Sequence, residues 1–307
     1  MDKQQIKQGN WKTIFGTILT IWIVATIIAG SITELKQAVS EKIVIIPITG
    51  PLSISENDAG ILEPRTATTE NILDNIKKAR SDSSVKAIIF EINSPGGTVV
   101  ASKEIADAVK NLKKPNIALI REVGASGAYW VASASDKIVA SPMSITGSIG
   151  VIGSYLEFSK LFEKYGITYQ RLTSGELKDV GSPYKELTEK EKDYLQKKLD
   201  IIHENFIDEV SENRNMDKEK VKQIADGSFY LGVEAKDLGL VDYLGDREFA
   251  VNLTKQMINK TDVEVITYKR KVTLFEQLTK LSSYYIGKGI GETLLSFNLE
   301  KEIKLNA

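Results

Sequence analysis

Three apolar, β-type runs each close on a small-residue or proline turn and give way to a helical pattern. That alternation constrains the fold more than any other feature of the chain. Lys42 to Gly50 (KIVIIPITG) stops at Gly50-Pro51, Val85 to Ile92 (VKAIIFEI) at Asn93-Ser94-Pro95-Gly96-Gly97, and Asn116 to Ile120 runs on towards Gly124-Ala125-Ser126-Gly127. Helical spacing follows each run. Thr69 to Arg80 puts Ile72, Leu73, Ile76 and Ala79 on one face, and Val99 to Leu112 does the same with Ala101, Ile105, Ala108 and Leu112. Ala125 to Ala134 is a third helix, and Lys137 to Ala140 a short strand. Strands and helices in this order require right-handed crossovers, and so predict an α/β fold with a mostly parallel sheet and flanking helices.

Ser126 sits where the third strand turns into a helix. Its neighbours Gly124, Ala125, Gly127 and Ala128 permit a tight turn and close approach by another backbone. A serine at the carboxyl end of a strand occupies the usual site position of an α/β sheet. The following helix N-terminus supplies unpaired N–H groups and a positive dipole end, both suited to a developing oxyanion. The layout has the logic of a nucleophile elbow, although its pattern is G-x-S-G and not G-x-S-x-G. The competing reading is a turn whose serine caps the helix.

Composition narrows the chemistry. The chain has no cysteine, which excludes thiol nucleophiles, disulfides and cysteine-ligated metals. Its single histidine, His203, would have to serve any Ser-His-Asp triad. With a formal net charge of −1 and interspersed acids and bases, nothing suggests a nucleic-acid footprint. Ile14 to Gly30 is apolar and uncharged. With its flanks, residues 13–32 reach the roughly 20 needed to span a bilayer. Lys3, Lys7 and Lys12 precede the run and Glu34 is the first charge after it, so the positive-inside rule puts residues 1–12 in the cytoplasm and the rest outside. A cleaved signal peptide is the alternative, with no clean Ala-x-Ala site to support it.

Residues 33–41 read as a linker, and Glu56 to Thr68 as a polar loop. Beyond the glycine-rich Thr146 to Gly153 come an expected helix, Leu156 to Tyr165, and an expected strand, Thr168 to Leu172. A long helix starts at Thr188, where Thr188 and Glu191 form a capping box. Its apolar face is Leu195, Leu199, Ile202, Phe206 and Val210, and His203 reads as a structural residue at the edge of that face. A helix from Arg247 to Ile258 and a strand from Val263 to Tyr268 complete a domain over residues 42–268, followed by a helical tail over 269–307.

Four passages coincide in order: Asn93 to Gly97 (NSPGG), Gly124 to Trp130 (GASGAYW), Thr146 to Ile152 (TGSIGVI) and Ser174 to Pro183 (SGELKDVGSP). Together with Gly239-Leu240-Val241-Asp242 they resemble the signal peptide peptidase A family of membrane-anchored serine proteases, in its short, single-repeat form. The resemblance implies a Clp-protease/crotonase-like sheet. It also implies catalysis by a Ser-Lys dyad with Ser126 as nucleophile and Lys178 as general base, and an oxyanion hole from the N–H groups of Gly97 and Gly127. Ser148 is a candidate for orienting the base, and no metal or cofactor is needed. The implied partners are peptides left from released signal sequences, a membrane bound through the N-terminal helix, and further copies of the chain in a ring, with the dyad completed between neighbours. A lysine base must be neutral, yet at a free pKa of about 10.4 only roughly one in 2,500 would be at pH 7. The resemblance therefore predicts an apolar setting for Lys178, with Leu177 and Val180 excluding water and the carboxylates of Glu176 and Asp179 pointing elsewhere. Two rival functions are a protease of the same mechanism that cleaves membrane-protein partners, and a catalytically silent membrane scaffold.

Overall fold

The computed structural model describes residues 15–27, 41–54 and 67–268. In chain order the elements are α1 (15–27), β1 (Lys42–Thr49), β2 (Leu52–Ser53), β3 (Ala67–Thr68), α2 (Thr69–Ser81), β4 (Val85–Ser94), α3 (Val99–Lys110), β5 (Asn116–Ala125), α4 (Gly127–Ser133), β6 (Lys137–Ala140), β7 (Ile145–Gly147), α5 (Ser159–Lys164), α6 (Glu189–Arg214), α7 (Lys218–Ile224), β8 (Phe229–Leu231), α8 (Gly232–Asp237), β9 (Tyr243–Leu244), α9 (Arg247–Met257) and β10 (Glu264–Thr267). The main sheet runs β10-β1-β4-β5-β6-β9, and every one of these pairings is parallel. β7 adds in parallel to the far end of β5, and β8 pairs with β7 antiparallel.

Alternation along the central strands explains why both faces are covered. Ile46, Ile48, Ile88, Phe90 and Ile120 enter one core, which the apolar stripes of α2, α3 and α4 close. Ile43, Ile45, Ile89, Ile117 and Leu119 enter the other, against Ala250 of α9. Period-2 alternation with apolar residues on both sides is the signature of a parallel sheet buried on two faces. Each fully buried isoleucine contributes about 1.5–3 kcal/mol.

The strand and helix expectations hold for the first half of the domain, with ends shifted by a few residues. β5 runs on through Ala125, so the helix after it starts at Gly127. α6 begins after Thr188, whose hydroxyl accepts from Glu191 N while the Glu191 carboxylate accepts from Thr188 N at 2.9 Å. Two expectations need correction. Residues 168–172 form no strand, and no strand among the described residues pairs with them. The helix expected from Leu156 to Tyr165 shortens to α5. Within the expected anchor, residues 15–27 are helical and exposed. Among the described residues no helix is long and apolar enough to cross a membrane. The rest of the expected anchor (13–14 and 28–32), the N-terminus, most of the linker and of the polar loop, and the tail over 269–307 lie outside the described residues.

Candidate active site

Ser126 stands between β5 and α4 with φ 53° and ψ −127°. An L residue held there stores about 1–3 kcal/mol of strain and must be over-determined by its surroundings. Two hydrogen bonds do this: Ser126 N donates to Gly147 O at 2.8 Å, and Ser126 O accepts from Trp130 N at 3.0 Å. The side chain makes no capping bond, although Ser126 occupies the N-cap position. The helix-cap reading therefore fails, and the hydroxyl is left available at the carboxyl end of the strand.

Ser126 opens onto a cleft of about 1010 Å³ that Gly97, Gly127 and Ser148 also line. The two glycines are where they are for want of space. A Cβ on Gly97 would lie 2.0 Å from Leu52 O, and one on Gly127 would lie 2.1 Å from Ser102 Oγ. Gly97 N sits 3.4 Å from that Gly127 position, so the two residues are neighbours across the cleft. Among the described residues neither amide donates a hydrogen bond. Two unused N–H groups beside a free hydroxyl form the local geometry that an oxyanion needs.

Apolar side chains, Leu52, Val99, Val151 and Ile152 among them, line much of the remaining surface. Trp130 and Phe206 add a stacked pair with ring centroids 4.5 Å apart and planes 8° from parallel. Trp130 Nε1 donates to Glu209 Oε2 at 2.9 Å, and Lys103 pairs with the same carboxylate at 2.6 Å, which fixes the indole. Ser148, at φ 50°, donates its N–H to Ser228 O and its hydroxyl to Gly227 O at 3.2 Å, leaving the Oγ lone pairs as acceptors. The spacing of Trp130 and Phe206 on their helices was visible in the sequence, but not that the two helices cross at the cleft.

His203 lies in the wall of this cleft, where the sequence pointed only to a helix edge. Its Nε2 is buried without a hydrogen-bond partner. No hydrogen bond joins it to Ser126 among the described residues, so the chain contains no assembled Ser-His pair.

Lys178 is elsewhere. It lies on a turn over residues 176–181, with its N–H bonded to Gly175 O at 3.2 Å, and its side chain is exposed and does not line the Ser126 cleft. The apolar enclosure expected for it is not supplied by the described residues. The neighbouring carboxylates do point elsewhere. Asp179 is engaged by Arg171 and Lys185, which hold its carboxyl down at about 2, and Glu176 pairs with Lys190 at 2.6 Å.

Comparison with known proteins covers both halves of this arrangement. Residues 108–261 match the model of Peptidase family S49, and residues 62–146 match that of Clp protease. A protein named "Putative protease" from Methanocaldococcus jannaschii is 40% identical over 235 residues, 75% of this chain and 74% of that one. One named "Putative signal peptide peptidase SppA" from Enterococcus faecium is 36% identical over 260 residues, 84% of this chain and 74% of its own. Protease 4 of Haemophilus influenzae is 33% identical over 225 residues, which make up 72% of this chain but 36% of that longer protein.

Proposed function

The chain belongs to peptidase family S49, the signal peptide peptidase A family, and from that premise we propose that it is a serine peptidase in which Ser126 is acylated and Lys178 is the base. The observation that carries the proposal is the strained, uncapped Ser126 beside the two unused N–H groups of Gly97 and Gly127.

The chemistry follows from these groups. Neutral Lys178 Nζ takes the Ser126 proton as Oγ attacks the scissile carbonyl carbon. The carbonyl π pair moves to oxygen, and that oxyanion accepts hydrogen bonds from Gly97 and Gly127, each donor contributing about 3 kcal/mol. Collapse breaks the C–N bond, and the Lys178 ammonium returns its proton to the leaving amine. Water, deprotonated by the same lysine, then attacks the acyl-enzyme and releases the acid and Ser126. Ser148 Oγ, with free lone pairs, accepts from the ammonium and aims it.

Lys178 reaches Ser126 from a neighbouring copy of the chain. Support comes from its exposed position away from its own cleft, and from the apolar surface that precedes it. Ile152 is 89%, Leu156 73% and Leu172 97% exposed, apolar surface left uncovered among the described residues. Packing of that surface against a second copy would also exclude water from the lysine, which favours its neutral form. The apolar cleft suits the hydrophobic segments of released signal peptides, and we place residues 13–32 in the cytoplasmic membrane with the peptidase on its outer side. The rival in which membrane proteins are the substrates differs in what is cut, and profiling products against both kinds of substrate separates the two.

The full chain, assayed on a fluorogenic apolar peptide, tests the reading. Ser126→Ala and Lys178→Met are expected to be inactive, with His203→Ala active. Labelling by a serine-directed phosphonate is expected in the wild type and absent in Ser126→Ala. Loss of activity in a folded His203→Ala protein would transfer the base role to the histidine. An unlabelled wild type in a well-formed oligomer would favour the silent scaffold.

A further inference from the structure

The turn that carries Lys178 is enclosed by a chain of ion pairs. Arg171 grips Asp179 with two nitrogens: Nη2 donates to Oδ1 at 2.8 Å, and Nε donates to Oδ2. Arg171 Nη2 also reaches Glu176 O at 3.3 Å, tying both ends of the turn to one guanidinium. Lys185 approaches Asp179 Oδ1 from the other side at 3.3 Å and bonds onward to Glu191. Glu191 is buried, and its second carboxylate oxygen caps α6 through Thr188 N at 2.9 Å. Glu176 is taken up separately by Lys190 of α6. Every carboxylate adjoining Lys178 is thus matched to another cation, while Lys178 itself has no ion-pair partner among the described residues.

We propose that Arg171, with Lys185, is a positioning device for the base: it holds the turn and keeps the Asp179 carboxylate away from Lys178. The proposal rests on Lys178 being the base. Its physical ground is simple. A carboxylate within about 4–6 Å of an ammonium favours the charged form, and a lysine that stays charged cannot accept the Ser126 proton. Asp179 is the next residue in the chain, and Arg171 and Lys185 hold its carboxylate. A bidentate guanidinium does this better than an ammonium, because its planar fork fixes both carboxylate oxygens. The charged groups around Lys178 are Glu176 and Asp179 on its own turn, Arg171 before it, Lys185 after it, and Lys190 and Glu191 of α6. The cleft it would enter in the proposed assembly is lined by His203 and Asp226, which the test leaves unaltered.

The test is the pH profile of kcat/KM for the full-length chain. In Arg171→Gln the acid limb is expected to move up by about one pH unit, a roughly tenfold loss below the limb. Adding Asp179→Asn to that variant removes the freed charge, and the limb is expected to return to its wild-type position. Arg171→Lys is expected to fall between the two. Asp179→Asn alone frees the Arg171 guanidinium near Lys178, so the limb is expected to stay or move down, opposite to Arg171→Gln. This variant keeps the idea testable if Arg171→Gln does not fold. A limb that stays put in folded Arg171→Gln, or that the second substitution does not restore, would reduce the network to a structural brace. A limb that moves up in Asp179→Asn alone would mean that release of the carboxylate is not what charges the lysine, and would overturn the proposal. Activity retained in Lys178→Met would instead refute the base assignment, whatever Arg171 does.

Discussion

Ser126 has a backbone that few residues adopt and a hydroxyl that caps nothing. Structural serines at helix starts do the reverse: they sit in extended backbone and spend the oxygen on an N–H. Replacing Ser126 by alanine should cost at least about 10⁴ in kcat while leaving the fold intact, measured by steady-state kinetics beside circular dichroism. The glycines of the same cleft should behave differently. Gly97→Ala drives a Cβ to within 2.0 Å of Leu52 O, a backbone atom with nowhere to go. It should lower stability by about 3 kcal/mol in urea unfolding as well as abolish turnover. Activity loss without any change in midpoint would show that the loop can move aside. Parts for Gly97 and Gly127 came only with the family resemblance, whereas the Ser126 turn was legible in the sequence because small residues stand between a strand and a helix. His203 was not. Its place in the cleft depends on where α6 crosses α4, and helical spacing carries no information on that.

Among the elements, the central strands and α2, α3 and α4 could be read from periodicity, since each packs against a neighbour close in sequence. The stretch over 168–172 shows the opposite case. Its composition suits a strand, but a strand needs a partner, and none of the described strands pairs with it. The Arg171–Asp179 pair was invisible for a related reason: both residues lie in irregular backbone, where no period links them. α6 holds this region through the Thr188–Glu191 box, so Thr188→Ala should destabilise by about 1 kcal/mol. Phe206→Ala removes half of the stack on Trp130 and should cost about 3–5 kcal/mol in the same unfolding assay. The ion pairs add a pH signature. Asp179 titrates at about 2 in the folded protein, against about 3.9 for a free aspartate. A depressed carboxyl stabilises above its unfolded value and loses that contribution as pH falls towards the folded one. The gap in melting temperature between wild type and Asp179→Asn should therefore be constant above about pH 4 and close between about 4 and 2. A gap independent of pH would mean that charge is not what the pair supplies.

At the scale of the whole molecule, one chain brings Ser126, the amides of Gly97 and Gly127 and an apolar cleft together, and displays Lys178, the base proposed above, on an outer turn. α6 continues this pattern. Its second half buries Phe206, Ile207 and Val210, whereas Leu195 and Leu199 in the first half are only partly covered and Ile201 is 64% exposed. The sequence marked Leu195 and Leu199 as core because they share a helical face with Phe206. It could not show that this face outruns its own domain. The second copy proposed above would account for both the uncovered face and the distance of Lys178 from its own cleft, and the decisive measurement is complementation. Ser126→Ala and Lys178→Met chains, each inactive alone, are unfolded together, refolded as mixed oligomers and assayed on an apolar peptide. A site shared between neighbours predicts that the mixture regains about a quarter of wild-type activity, the share of sites that draw an intact serine from one copy and an intact lysine from the next. A mixture as silent as its parents, in oligomers of wild-type size, would contradict the shared site, and activity in Lys178→Met alone would contradict the dyad.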